Sequence, residues 1–156
     1  MAELLTTNDK RTCLCAELSS ANVGQTVCVM GWAQKQRDLG ALIFIDLRDR
    51  SGIVQLSFDD TTDKALFEKA STARSEFVLM AQGVVRARES INKDIPTGKI
   101  EIQVNDLRIL AKSETPPFEI TDTTNVKEDL RLKYRYLDLR RSELQNRIIS
   151  RHKIVK

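Results

Sequence analysis

The stretch GWAQKQRDLGALIFIDLRDRSGIVQLSF, residues 31–58, decides how the rest of the chain reads, because strand alternation, turn residues and an aromatic on the polar side occur in it together. Side chains of a strand point alternately to its two faces. Residues 42–49 therefore place Ile43, Ile45 and Leu47 on one face and Phe44, Asp46 and Arg48 on the other. Phe44 stands among charges, outside the expected core. Asp49, Arg50, Ser51 and Gly52 supply turn chemistry, and residues 53–58 resume the alternation with Val54, Leu56 and Phe58 inward and Gln55 and Ser57 outward. The two strands are predicted to form one hairpin. A four-residue loop sets Asp46 opposite Gln55, which leaves Phe44 diagonal to Gln55 on the outer face.

A ring beside an amide on a polar sheet face offers an unpaired nucleobase a surface to stack on and a donor and acceptor for its edge. Stacking of this kind contributes about 1–3 kcal/mol per base. The plainer reading is that a loop, or another part of a longer chain, covers Phe44, since single exposed apolar residues are ordinary.

Upstream, residues 25–36 hold Val27, Val29 and Trp32 among strand-forming neighbours, and Gly31 predicts a bulge or bend of the kind that curves a barrel. Residues 37–40 follow as a loop, and Lys35 and Arg37 are expected near the face that holds Phe44. Residues 1–10 are polar and expected to be flexible. The approach CLCAELSSANVGQ, residues 13–25, turns into the first strand at Gly24. Downstream, residues 59–62 offer N-caps, and Leu66, Phe67, Ala70 and Ala73 recur at helical spacing, predicting a short helix whose apolar stripe joins the core. Residues 76–88 read as a long strand with Phe77, Leu79, Ala81 and Val85 at one parity and Gln82, Arg86 and Arg88 at the other. INKDIPTGK, residues 91–99, breaks the pattern as a loop. Residues 99–110 then place Ile100, Ile102 and Val104 inward and Glu101 and Gln103 outward. Five strands with one helix after the third is the order of an oligonucleotide-binding (OB) barrel. Residues 1–110 are thus expected to form an all-β, five-stranded OB-fold with one short helix.

Residues 111–125 contain a Pro pair and no apolar periodicity, so they read as a linker. Residues 126–156 are dense in Leu, Tyr and Arg, and Ser142, Glu143, Leu144 and Gln145 have capping-box spacing ahead of Ile148, Ile149 and Val155. A helix is predicted to start at Ser142. The chain's formal charge of +3 is uneven, with fifteen basic against eighteen acidic residues in 1–126 and ten against four in 127–156. That asymmetry permits a nucleic-acid partner without requiring one. Three cysteines and one histidine complete neither a disulfide framework nor a tetrahedral zinc site, so no metal is expected. No apolar run reaches the length of a membrane span and residues 1–11 lack a signal-peptide pattern, which predicts a cytoplasmic protein with free thiols.

Residues 31–58 closely resemble the anticodon-binding domain of bacterial-type aspartyl-tRNA synthetases, through RDLG, FIDLRDR and GIVQ in combination. LRLKYRYLDLRR, residues 130–141, resembles the same family's entry into its class II catalytic domain. Related members carry Pro where Ser142 stands, an exchange that keeps a good helix start. The resemblance covers nearly the whole chain. It implies that Phe44 stacks on the middle anticodon base, Gln55 reads that base's edge and Glu101 reads a wobble guanine. Lys35, Arg37, Arg86, Arg88 and Asn92 are implied as backbone or base contacts. The implied partner is the anticodon stem-loop of tRNA(Asp), and the implied full-length enzyme is a homodimer using ATP and Mg²⁺ to make aspartyl-adenylate.

No Ser-His-Asp or Cys-His arrangement, phosphate loop or ligand set can be assembled from these residues. The resemblance places the family's catalytic motifs after the segment present here, so this chain is expected to be a catalytically inactive fragment that needs no cofactor of its own. The alternative is a free-standing OB module for single-stranded RNA or DNA. The linker, the basic segment and the apolar helix after Ser142 favour the ligase part.

Overall fold

The computed structural model describes residues 3, 6 and 9–156, and the expectation for residues 1–10 otherwise lies outside the described residues. Of those ten, Glu3 donates its backbone N–H to the Ile109 carbonyl at 2.9 Å and Asp9 pairs with Arg108 at 2.8 Å, so these described positions are anchored. The elements follow as β1 (Thr26–Asp38), β2 (Ile43–Arg48), β3 (Ile53–Phe58), α1 (Lys64–Thr72), β4 (Val78–Ala87) and β5 (Ile100–Ala111). The strands close into a barrel in the order β1-β2-β3-β5-β4. All neighbours are antiparallel except β3 and β5, which pair in parallel through Leu56↔Ile102 and Ser57↔Gln103.

Closure depends on β1 serving two partners. Its first half, Thr26 to Trp32, pairs with β4, and Trp32 to Asp38 pairs with β2. The register slips between Ala33 and Lys35, so Gln34 is the bulge residue rather than Gly31. Gly31 instead allows a close approach of two backbones. A Cβ there would stand 2.3 Å from the Arg48 carbonyl oxygen, and only glycine permits that approach. A second bulge follows the same logic in β5. Gln82 faces Asp106 while Gly83 faces Val104, leaving Asn105 unpaired in the count. Ile100, Ile102 and Val104 point inward before it, and Leu107 and Ile109 point inward after it. The bulge preserves burial when the sequence parity changes from even to odd.

The hairpin forms with Asp46 opposite Gln55 and Phe44 opposite Ser57. Ile43, Ile45, Leu47, Val54, Leu56 and Phe58 are fully buried. Helix α1 is capped by Asp63, whose carboxylate accepts from the N–H groups of Ala65 at 2.9 Å and Leu66 at 3.3 Å; the cap lies one residue beyond the expected 59–62. Ala70 and Ala73 enter the core, with Leu66 and Phe67 packed against it. Between α1 and β4, Glu76 adopts φ 64°, its N–H held by the Ala33 carbonyl at 2.7 Å and its carboxylate gripped by Arg48 at 2.9 Å to each oxygen. Cys13, Cys15 and Cys28 are free thiols, and burial pushes that of Cys15 above the usual range.

The described residues up to Thr115 belong to the barrel unit and Pro116–Lys156 to a second one. The second holds α2 (Glu128–Lys133), α3 (Arg135–Asp138) and α4 (Ser142–Val155). The fully buried Asp138 accepts from Arg135 at 2.6 Å and Arg141 at 3.1 Å, and Arg141 also donates to the Asp122 carbonyl at 2.9 Å. Helix α4 starts at Ser142 as its sequence predicts, but the cap is Asp122, which accepts from the Glu143 N–H at 3.0 Å. No helix among the described residues is long and apolar enough to cross a membrane.

Ile45 is sealed in the barrel and Phe44 is only half-buried on its outside. Ile45→Ala should therefore cost about 2–5 kcal/mol in urea unfolding, and Phe44→Ala less than half as much. A larger loss for Phe44→Ala than for Ile45→Ala would show that the two faces of β2 are the reverse of those described.

Candidate nucleic-acid interface

The outer face of the barrel around Phe44 is built by cross-strand pairing. Residues directly opposite in antiparallel strands share a face. Arg37 on β1 lies opposite Phe44, Lys35 lies opposite Asp46, and Arg86 on β4 lies opposite Glu101 on β5. The parallel contact of β3 with β5 brings Gln55 beside Glu101. These side chains form one chain of hydrogen bonds. Arg37 sits 5.6 Å from the Phe44 ring centroid and donates to Asp46 at 3.2 Å and to the Gln55 amide oxygen at 3.0 Å. Gln55 passes its amide N–H to Glu101 Oε2 at 2.8 Å, and Glu101 Oε1 accepts from Arg86 Nε at 2.7 Å. Arg86 Nη1 continues to Asp59 at 2.8 Å, where Thr61 and Gln103 complete the shell.

A hollow of about 540 Å³ opens above this chain, lined by Arg37, Leu42, Phe44, Gln55, Asp59, Asp60, Arg86, Ala87, Arg88, Glu89, Ser90 and Glu101. Six of the eight residues implied from the sequence meet there. Lys35 is exposed outside it. Asn92 lies in its own loop, its side-chain oxygen accepting from the Asp94 N–H at 2.9 Å and its backbone N–H donating to the Gly98 carbonyl at 3.0 Å.

Gln55, Glu101 and Asp59 are 3%, 7% and 8% exposed, although alternation places all three on the outer face. The network itself and the strand ends around it cover them. Such burial is tolerable because each polar group has a partner. Burial pushes the Asp59 carboxyl up, but the Thr61 hydroxyl and the Arg86 guanidinium outweigh it and hold the group below its ordinary value. Burial likewise opposes the charge on Arg86, and Glu101 and Asp59 more than compensate, raising it. One donor is left over: Arg88 Nη1 is buried without a hydrogen-bond partner among the described residues, on the wall of the hollow.

The lining carries three arginines and four carboxylates. A plain phosphate sink would be uniformly basic. This mixture suits planar groups with both donors and acceptors on their edges, against a ring that offers its face. Asp59, Thr61 and Gln103 join the site without having been expected in it. Asp59 shares the odd parity of Gln55 and Ser57, so continuing the alternation one step past the strand end would have placed it on the same face.

Among known families, the model for the OB-fold nucleic acid binding domain matches residues 27–110. The chain is 55% identical over 149 residues to the aspartate–tRNA ligase of Ruminiclostridium cellulolyticum, covering 94% of this chain and 25% of that protein. It is 54% identical over 147 residues to the aspartate–tRNA(Asp/Asn) ligase of Caldanaerobacter subterraneus subsp. tengcongensis, covering 93% and 25%. Among solved structures, the asparaginyl-tRNA synthetase of Pyrococcus horikoshii complexed with asparaginyl-adenylate superposes with a TM-score of 0.69 at 30% identity, over 82% of this chain and 28% of that one. The chain spans about a quarter of the length of the relatives it matches.

Because the Asp59 carboxyl is held below its ordinary value, its bonds stabilise the fold fully above about pH 4 and are lost as pH falls through the depressed value. The difference in melting temperature between the wild type and Asp59→Asn should be constant through neutral pH and shrink below about pH 4. Thermal melts across that range measure it, and a gap that widens on acidification would contradict a carboxylate stabilised by its partners.

Proposed function

The chain belongs to the tRNA anti-codon family of OB-fold nucleic acid binding domains, and from that premise we propose that it is the anticodon-recognition part of an aspartate–tRNA ligase. The observation that carries the reading is the placement of Phe44, Gln55 and Glu101 around one hollow, joined by hydrogen bonds that fix their orientations. The identity of more than half to aspartate–tRNA ligases selects the amino acid.

The geometry supports a division of labour. The Phe44 ring, with Arg37 at its face, stacks a splayed base. Gln55 spends one amide N–H on Glu101 and one oxygen lone pair on Arg37, so one donor and one acceptor remain for a base edge. Uridine offers the complementary pair, an imide N–H beside a carbonyl. Glu101 accepts one bond at each oxygen, and a carboxylate with a lone pair left on each oxygen matches the adjacent ring and exocyclic N–H groups of guanine. Arg88 supplies a donor to a phosphate or base acceptor, and Lys35 and Arg37 add positive charge at the rim.

In the proposed full-length enzyme, aspartate activation with ATP and Mg²⁺, and assembly as a homodimer in the cytoplasm, belong to segments beyond the quarter of its relatives that this chain spans. Among the described residues no group of three or more His, Cys, Asp or Glu side chains is placed to hold a metal ion.

Titration with an RNA hairpin bearing the GUC anticodon tests the reading. Phe44→Ala should weaken binding by about 1–3 kcal/mol through lost stacking, with folding nearly intact. Glu101→Gln should cost about 1–3 kcal/mol against the guanine hairpin and little against hairpins changed at that base. Unchanged binding by Phe44→Ala would remove the stacking surface, and an equal loss on every hairpin would make Glu101 a structural acid.

A further inference from the structure

We propose that Asp59 is a positioning residue for base recognition: it holds the Arg86 guanidinium so that the Glu101 carboxylate keeps one fixed orientation toward the N–H donors of a guanine. The inference rests on the reading of Glu101 given above and extends it to a residue that does not touch RNA.

The distinction between the two acids lies in how many of their acceptor sites are filled. A carboxylate has about four lone-pair sites. Those of Asp59 are all taken. Its Oδ1 accepts from the Thr61 N–H at 3.1 Å and the Thr61 hydroxyl at 2.6 Å, and its Oδ2 accepts from Arg86 at 2.8 Å and the Gln103 amide at 3.3 Å. Glu101 accepts once at each oxygen and has a site left on each. Asp59 is saturated by protein, whereas Glu101 is half open toward the hollow.

Arg86 links them through its rigid fork, Nε to Glu101 and Nη1 to Asp59. With Asp59 anchored by Thr61, the guanidinium plane cannot rotate, and the oxygen it grips on Glu101 is fixed. Removing the Asp59 charge frees Nη1 and replaces an acceptor with a donor facing another donor. Arg86 then turns, and Glu101 loses one of its two constraints.

Electrostatics alone predicts the opposite sign. Asp59 is a negative charge on the wall of a site for a polyanion, so its neutralisation should tighten binding of every RNA alike. Positioning instead predicts that Asp59→Asn weakens binding to a hairpin with guanine at the wobble base, despite the more favourable charge, and spares a hairpin with adenine there.

The test titrates the 156-residue chain as wild type, Asp59→Asn and Glu101→Gln against GUC and AUC hairpins, with thermal melts confirming folded protein. The expected result is a fall of about tenfold in the preference for guanine in Asp59→Asn, the size of one hydrogen bond to a charged group, with adenine affinity unchanged or higher. Thr61→Val leaves both ion pairs of Arg86 in place and removes one anchor, so it should lower the same preference to a smaller degree and serves if Asp59→Asn does not fold. Tighter binding of both hairpins by equal factors would overturn the proposal. A collapse of the preference in Glu101→Gln with none in Asp59→Asn would overturn it while leaving the reading of Glu101 intact. A wild type that binds both hairpins equally would remove that reading, and the positioning role with it.

Discussion

The barrel depends on a single strand being hydrogen-bonded on two sides at different points along its length. Trp32 marks the exchange, paired with Val78 on β4 and with Arg48 on β2. A strand that changes partners must bend, and the backbones of β1 and β2 come close enough at Gly31 that any side chain would collide with the Arg48 carbonyl. The same Arg48 reaches from β2 to the carboxylate of Glu76 at the entrance to β4. A part-buried ion pair, in which one Arg48 nitrogen reaches both oxygens of Glu76, therefore ties together the strands that flank the bend, and the unusual backbone of Glu76 is held by the bond to Ala33 and the grip of Arg48. Without that closure β4 and β5 would not return to the hairpin, and no hollow would form above Phe44.

Closure also explains why polar residues with outward parity are buried. An open sheet would leave Gln55 and Glu101 in water, where long side chains sample many rotamers. Here the parallel contact between β3 and β5 presses them together and each finds a partner. On the proposed reading, the ordering cost of recognition is thus met during folding rather than at the encounter with RNA. The network also sets two carboxylates on one guanidinium, so that loss of Arg86 would leave two largely buried acids without their cationic partner.

Much of this architecture is legible in the sequence, for identifiable reasons. The hairpin register follows from a four-residue turn and a strict alternation, because a period of two leaves no freedom once one face is apolar. Phe44 is conspicuous as the exception to that pattern. What alternation cannot supply is the position of the bulges, since Gln34 and Asn105 have ordinary side chains and reveal themselves only through their partners' register. Gly31 stands out in the sequence but suggests a bulge it does not make, because a glycine's signal is the same for a bend and for a close approach. Asp59 reads as a helix cap, a common use of Asp after a strand, whereas the cap falls to Asp63 four residues later and leaves Asp59 free for Arg86. Pairings among side chains on one face, such as Arg86 with Asp59, depend on which strands end up adjacent, and sequence spacing does not encode that.

The cap on α4 bears on how such chains can be taken apart and recombined. Residues 112–127 have no helix or strand, yet Asp122 within them supplies the acceptor for the Glu143 N–H and its own carbonyl for Arg141. The connection is therefore not a uniform tether. Its later part is a structural component of the helical unit, even though it lies about twenty residues from the helix it starts. Swapping a foreign barrel onto these helices would preserve the α4 start only if the junction fell before Asp122, whereas a junction at residue 125 would transplant a helix deprived of its first-turn partner. Modularity in this chain runs along hydrogen-bond ownership rather than along the edges of regular structure.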